Sequence, residues 1–146
     1  MIIDRQALLS NAQAITTTAV STNTYDLINA RDLGPGDQNV QLFIRVTTAF
    51  AGGTSIAFSY ITSANADLSS ATTIVSTPAI VTASLTAGSE WLRIELPVLS
   101  TAVQRYIGVA YTVVGTMSAG AVTAGLVMDP REAILYYGSG LNTGGF

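Results

Sequence analysis

The chain has 146 residues, 49% of them hydrophobic and only 10% charged, with a net charge of −3. A single domain of this length buries roughly 70% of its unfolded surface, and an ordinary soluble domain is about 25% charged, so much of this surface is neutral and suited to cover by a partner. The acidic balance excludes a nucleic-acid partner, and the absence of Cys and His removes disulfides, thiolates and the commonest general base and metal ligand.

In chain order, "MIIDRQALLS" (1–10) has an acid at Asp4 and lacks the charged-then-apolar order of a targeting peptide. It reads as an N-terminal segment whose Ile2, Ile3, Arg5, Leu8 and Leu9 are free to contact a partner. Segments 13–20 and 24–29 are rich in β-branched residues and read as weak strands. "LGPGDQ" (33–38) is a turn. "QLFIRVTTAF" (41–50) sets Leu42, Ile44 and Val46 against Phe43, Arg45 and Thr47. After "AGG" (51–53), "TSIAFSYI" (54–61) puts Ile56, Phe58 and Tyr60 on one side and Ser55, Ala57 and Ser59 on the other. Such period-two alternation marks strands with one face toward a core.

"NADLSS" (65–70) reads as a loop with a helical turn, and 72–76 and 79–85 as further weak strands. "EWLRIELP" (90–97) alternates Leu92, Ile94 and Leu96 with Trp91, Arg93 and Glu95. Exposed Trp91 beside Arg93 has the composition of a contact patch; the same residues also fit a face turned inward. The stretch 106–128, "YIGVAYTVVGTMSAGAVTAGLVM", carries no charge for twenty-three residues. A membrane helix needs about twenty consistently apolar residues, whereas this run holds Tyr106, Tyr111, Thr112, Thr116, Ser118 and Thr123. It alternates with period two on both sides of "VGTMSAG" and reads as a β-hairpin, with Gly108 and Gly125 leaving shallow spots open to a second sheet or copy. No membrane partner is expected. Beyond Asp129 the chain turns glycine-rich, "REAILYYGSGLNTGGF", and 130–146 reads as a tail outside the domain. It is either a loose end or an arm docking through Ile134, Tyr136, Tyr137, Leu141 and Phe146.

Eight or nine short strands with turns between them define an antiparallel sandwich or barrel. Little catalytic chemistry fits it. All six basic residues are Arg (5, 31, 45, 93, 105 and 131), which excludes a phosphate-loop lysine and a Schiff base. Asp32 and Asp37 fall short of the ligand ladder that calcium needs. Glu90 and Glu95 lie on opposite sides of one strand, and a single Trp furnishes a poor sugar cleft. No enzyme activity, cofactor or metal is expected.

Three stretches, "LSNAQAITTTAVSTNTYDL…ARDLGPG", "FAGGTSIAFSYITSANADLSSATTIVSTPAI" and "RYIGVAYTVVGTMSAGAVTAGLVMD", resemble the small capsid cement (decoration) proteins of tailed bacteriophages. The nearest type is the jelly-roll cement protein of short-tailed phages such as the Bordetella tropism-switching phage. The resemblance spans about 1–129 and contains no catalytic motif. It implies a jelly-roll-like β-sandwich with terminal extensions, self-associating as a dimer or trimer. Such a protein is made in the bacterial cytoplasm and sits on the outside of the virion, where it bridges subunits of the major capsid protein. The tail 130–146 departs from shorter members, which stop soon after the "GLVMD" segment. The competing expectation is a lectin-like, glycan- or host-binding β-sandwich module of the phage particle.

Overall fold

The computed structural model describes residues 5–28, 40–95 and 103–128, with backbone alone at 40, 91–95 and 128. Among them are ten strands: β1 (Leu8–Ala14), β2 (Ala19–Val20), β3 (Tyr25–Asp26), β4 (Val40–Gly52), β5 (Ser55–Ser63), β6 (Thr72–Ser76), β7 (Ile80–Val81), β8 (Glu90–Glu95), β9 (Tyr106–Val114) and β10 (Met117–Met128). They form two antiparallel sheets. The first has the order β1-β10-β4-β8; the second has β2-β9-β5-β6. Strand β3 continues β2 along β9, and β7 continues β6 along β5. Each of these pairs counts as one interrupted strand, which makes two four-stranded sheets wound as a jelly roll.

The alternation read from the sequence sets the faces. Leu42, Ile44 and Val46 of β4 and Ile56, Phe58 and Tyr60 of β5 all enter one core, with Ile107, Val109 and Tyr111 of β9 and Val122, Ala124 and Leu126 of β10. Phe58 and Tyr111 are cross-strand partners and meet edge-to-face, with ring centroids 6.0 Å apart at 87°. That geometry suits the aromatic quadrupole. Residues 92 and 94 lie in register with Ile44 and Leu42, so β8 joins this sheet as its alternation predicts.

The pairing differs from expectation at 106–128. Strands β9 and β10 do not form a hairpin; they belong to opposite sheets. The Gly115-Thr116 link is therefore a corner, and Gly53-Thr54 between β4 and β5 is another. The two corners lie against each other: the Thr54 amide donates to the Val114 carbonyl at 2.8 Å. Gly115 has φ +84°, and a Cβ there would stand 3.0 Å from the Gly53 Cα. A side chain would force the stacked corners apart.

Other readings also shift. The predicted strand 13–20 breaks, because β1 ends at Ala14 and the chain crosses to the second sheet before β2. The predicted segment 79–85 is a two-residue strand followed by a 3-10 turn at Thr82–Ser84. Residues 8–10 are no free N-terminal segment, since they begin β1 beside β10. A bulge between Leu8 and Ser10 turns two consecutive residues inward. Leu9 is fully buried, and the buried Ser10 Oγ shares a 2.7 Å hydrogen bond with the Tyr111 hydroxyl of the opposite sheet.

The shallow spots are filled from within the chain. A Cβ on Gly108 would overlap Leu68, and one on Gly125 would stand 2.9 Å from the Ala7 carbonyl oxygen. Leu68 sits on the 64–71 loop, where Ser63 Oγ donates to the Ser69 carbonyl at 2.7 Å and the Ser69 amide donates to Asp67 at 2.9 Å. The loop thus plugs the outer side of the second sheet. Leu68→Ala is expected to lose about 2–3 kcal/mol in urea denaturation, and Gly108→Val to lose a comparable amount by expelling the plug. Wild-type stability in both variants would refute the plug.

Candidate docking surfaces

The expected contact residues divide into three sets. Arg5 lies exposed in a 3-10 turn, Arg5–Ala7, that leads into β1. With Gln6, Leu8, Asn11, Thr22, Asn23 and Thr24 it lines an open polar groove of about 1070 Å³. The groove is built by the 21–24 link folding onto β1: the Asn23 amide donates to the Leu9 carbonyl at 2.9 Å, and Asn23 Nδ2 donates to the Leu8 carbonyl at 3.2 Å. Half-buried Leu8 pairs with Gly125, Gly125 with Phe43, and Phe43 with Arg93, so one row crosses the first sheet. That row sets the backbone of two expected residues, Leu8 and Arg93, in line across the sheet, with Trp91 two positions from Arg93 along the same strand.

Leu9 is the correction among them. The β1 bulge places it in the core, fully buried, where it serves the sandwich rather than a partner. Ile2, Ile3, Ile134, Tyr136, Tyr137, Leu141 and Phe146 lie outside the described residues.

The outer face of the second sheet is a surface that the sequence reading, residue by residue, did not single out. Its rows follow from the register: Val81–Ser55–Val114, then Ala57–Thr112, then Ser76–Ser59–Ala110–Val20. Val81, Val114 and Val20 are 56%, 52% and 39% exposed. None of these nine residues is charged. The Leu68 plug over Gly108 closes one end of the face, and the glycine corners close the other. The signal was present in the sequence: Ser55, Ala57 and Ser59 alternate with core residues on one strand, and Gly108, Ala110 and Thr112 do so on its neighbour.

Charge gathers at the margin of this sheet. Arg105 holds Asp26 through two contacts of 2.9 Å, Nε to Oδ1 and Nη2 to Oδ2, and its guanidinium lies 5.0 Å from the Tyr106 ring centre. The Arg105 hydrogen bonds, then the Ile28 amide, hold the Asp26 carboxyl below its ordinary range. The Asp26 turn leaves Ile28 exposed at φ +67°, a strained conformation for a β-branched residue. Both partners of the ion pair are exposed, so it adds little to stability.

Among the described residues, no three acidic side chains converge to hold a metal ion. No helix among them is long and apolar enough to cross a membrane; the uncharged run forms two strands. The described surface thus offers one neutral patch on the second sheet and a polar groove beside β1. A family model, Bbp16, matches residues 9–126, from the second residue of β1 to near the end of β10. The chain belongs to that family, a structural protein family of the Bordetella phage BPP-1, and is a phage virion structural protein. No curated protein matches it.

Proposed function

We propose that this protein binds the outer surface of the icosahedral capsid as a homo-oligomer and stabilises the shell by bridging major capsid protein subunits. The observation that carries the reading is the family match over the whole sandwich, a virion structural family on a fold whose second sheet carries a neutral outer patch. The physical basis is burial. Apolar area removed from water contributes roughly 25 cal/mol per Å² gross, less the ordering costs of association. Repetition over a symmetric shell turns modest contacts into a large total. The stacked corners and filled core make each copy a stiff block, so a bridge between two subunits resists their separation.

Purified protein is expected to cosediment saturably with empty capsids and to raise their rupture temperature. Absence of binding sinks the reading. Deleting residues 131–146 is expected to leave a folded domain with reduced capsid occupancy; unaltered occupancy would remove the tail from the mechanism. The lectin-like alternative requires glycan binding without capsid association.

A further inference from the structure

On the outer face of the β2/β3-β9-β5-β6/β7 sheet, the nine-residue patch between the Leu68 plug and the glycine corners is uncharged, and the Asp26–Arg105 pair lies beyond the plug. We infer that this face, centred on Thr112, is the surface that meets the capsid shell, against a neutral, aliphatic and small-residue surface of the major capsid protein. The inference rests on the capsid-binding reading above and specifies which side of the molecule does the work.

Three observations support it. The first is chemical. The face carries Val20, Val81 and Val114 around a floor of Ser55, Ala57, Ser59, Ala110 and Thr112, with Ser76 at one edge. Serines 55 and 59 are nearly buried already, and Ser59 Oγ is bonded to Ser76 Oγ at 2.8 Å. Docking on this patch therefore strips little water from polar groups, whereas a charge placed over its centre would find no counter-charge among the nine residues to replace its hydration.

The second observation is the state of the sheet's edges. Interruption at 21–24 divides β2 from β3, and Thr77-Pro78-Ala79 divides β6 from β7. Short, broken edges with a proline resist strand addition. Association through this sheet is left to its face.

The third is size. Four strands about 4.8 Å apart, over five residues at about 3.3 Å each, give a face of roughly 300 Å². A stand-alone complex needs about 800 Å² per partner. The face is too small to hold two free copies together. It suits a contact repeated across a shell, where neighbouring contacts supply the rest.

The test uses the absence of native cysteine. Thr112→Cys places one thiol in the centre of the face, and Thr47→Cys places one at an exposed position of β4 in the other sheet. On capsid-bound protein, maleimide labelling read on this chain by mass spectrometry is expected to slow about tenfold or more at position 112 and to stay unchanged at 47. The double variant Val81→Glu/Thr112→Glu is expected to lose capsid occupancy about tenfold or more, while keeping the wild-type unfolding midpoint and solution mass. Labelling of position 112 at the free rate on the capsid overturns the inference. So does a folded double variant that binds normally, or one whose oligomer falls apart, since that would make the face a self-interface. Failure of the wild-type protein to bind capsids is a separate result, and it defeats the capsid-binding reading itself.

Discussion

Gly120→Ala is expected to cost about 3 kcal/mol or more and to lower the unfolding midpoint by roughly 10 °C. Two causes act together. Gly120 has φ +144°, a conformation that L side chains rarely adopt. Its missing Cβ also leaves room for Phe50: a methyl there would stand 2.5 Å from the ring's Cε1 and 2.6 Å from its Cγ. Phe50 is buried, and its backbone is fixed by the amide's 3.0 Å bond to the Leu85 carbonyl, so the ring has little freedom to retreat. On the other side, the Gly120 carbonyl accepts from the Ile15 amide at 3.0 Å, which ties β10 to the crossing between sheets. Thermal and urea unfolding of Gly120→Ala measure the loss. A Phe50→Leu/Gly120→Ala double variant separates the causes, because relief of the overlap restores part of the stability whereas backbone strain persists. A single variant within about 1 kcal/mol of wild type would show that neither constraint acts.

The second large effect is expected in alkali. Tyr60 and Tyr111 are fully buried, and burial pushes both phenols well above the ordinary tyrosine value. The Ser10 hydroxyl only partly offsets this at Tyr111, while the Tyr60 hydroxyl has no hydrogen-bond partner among the described residues. The sign follows from linkage. Unfolded tyrosine ionises near pH 10, and the folded sites hold their protons beyond it. Stability is therefore full below about pH 10 and falls as the pH rises further, by up to about 1.4 kcal/mol per pH unit for each phenol, or about 2.7 for both. Urea unfolding across the alkaline range, with tyrosinate absorbance as a second signal, tests this. Two of the six tyrosines are expected to ionise only with loss of structure. Tyr60→Phe is expected to halve the pH slope and to gain about 1–2 kcal/mol at neutral pH by removing an unsatisfied hydroxyl. Ionisation of all six at the ordinary pH in the intact fold would refute the assignment.

Much of the sandwich was legible because strand faces are a local property. Residues 41–50, 54–61 and 90–97 each carry their own alternation, and the strands form there with Leu42, Ile44, Ile56 and Phe58 in the core. Pairing is not local. Val113-Val114-Gly115-Thr116-Met117 has the look of a hairpin turn, yet β9 finds β5 and β10 finds β4, each far away in sequence. The tertiary partners outcompeted the neighbour. Leu9 was misread for a related reason: the bulge puts two adjacent residues on one side, and strict alternation has no place for that. The neutral outer face was visible strand by strand as small side chains. Only the register joins those strands with Val20 and Val81 into one surface.

The winding of the jelly roll also dictates how the chain must come together in time. Among the described strands, only the β5 to β6 and β7 connection pairs neighbours along the chain, and the first strand is completed by the last, Leu8 against Gly125. A nascent chain emerging from the ribosome N-terminus first has no partner for β1 until β10 is released. Folding is accordingly expected to finish only after synthesis and to be slow, in the millisecond-to-second range of proteins dominated by distant contacts. A chain that stops short of residue 117 lacks the strand on which both β1 and β4 are built, so a prematurely ended copy is expected to leave the first sheet unassembled.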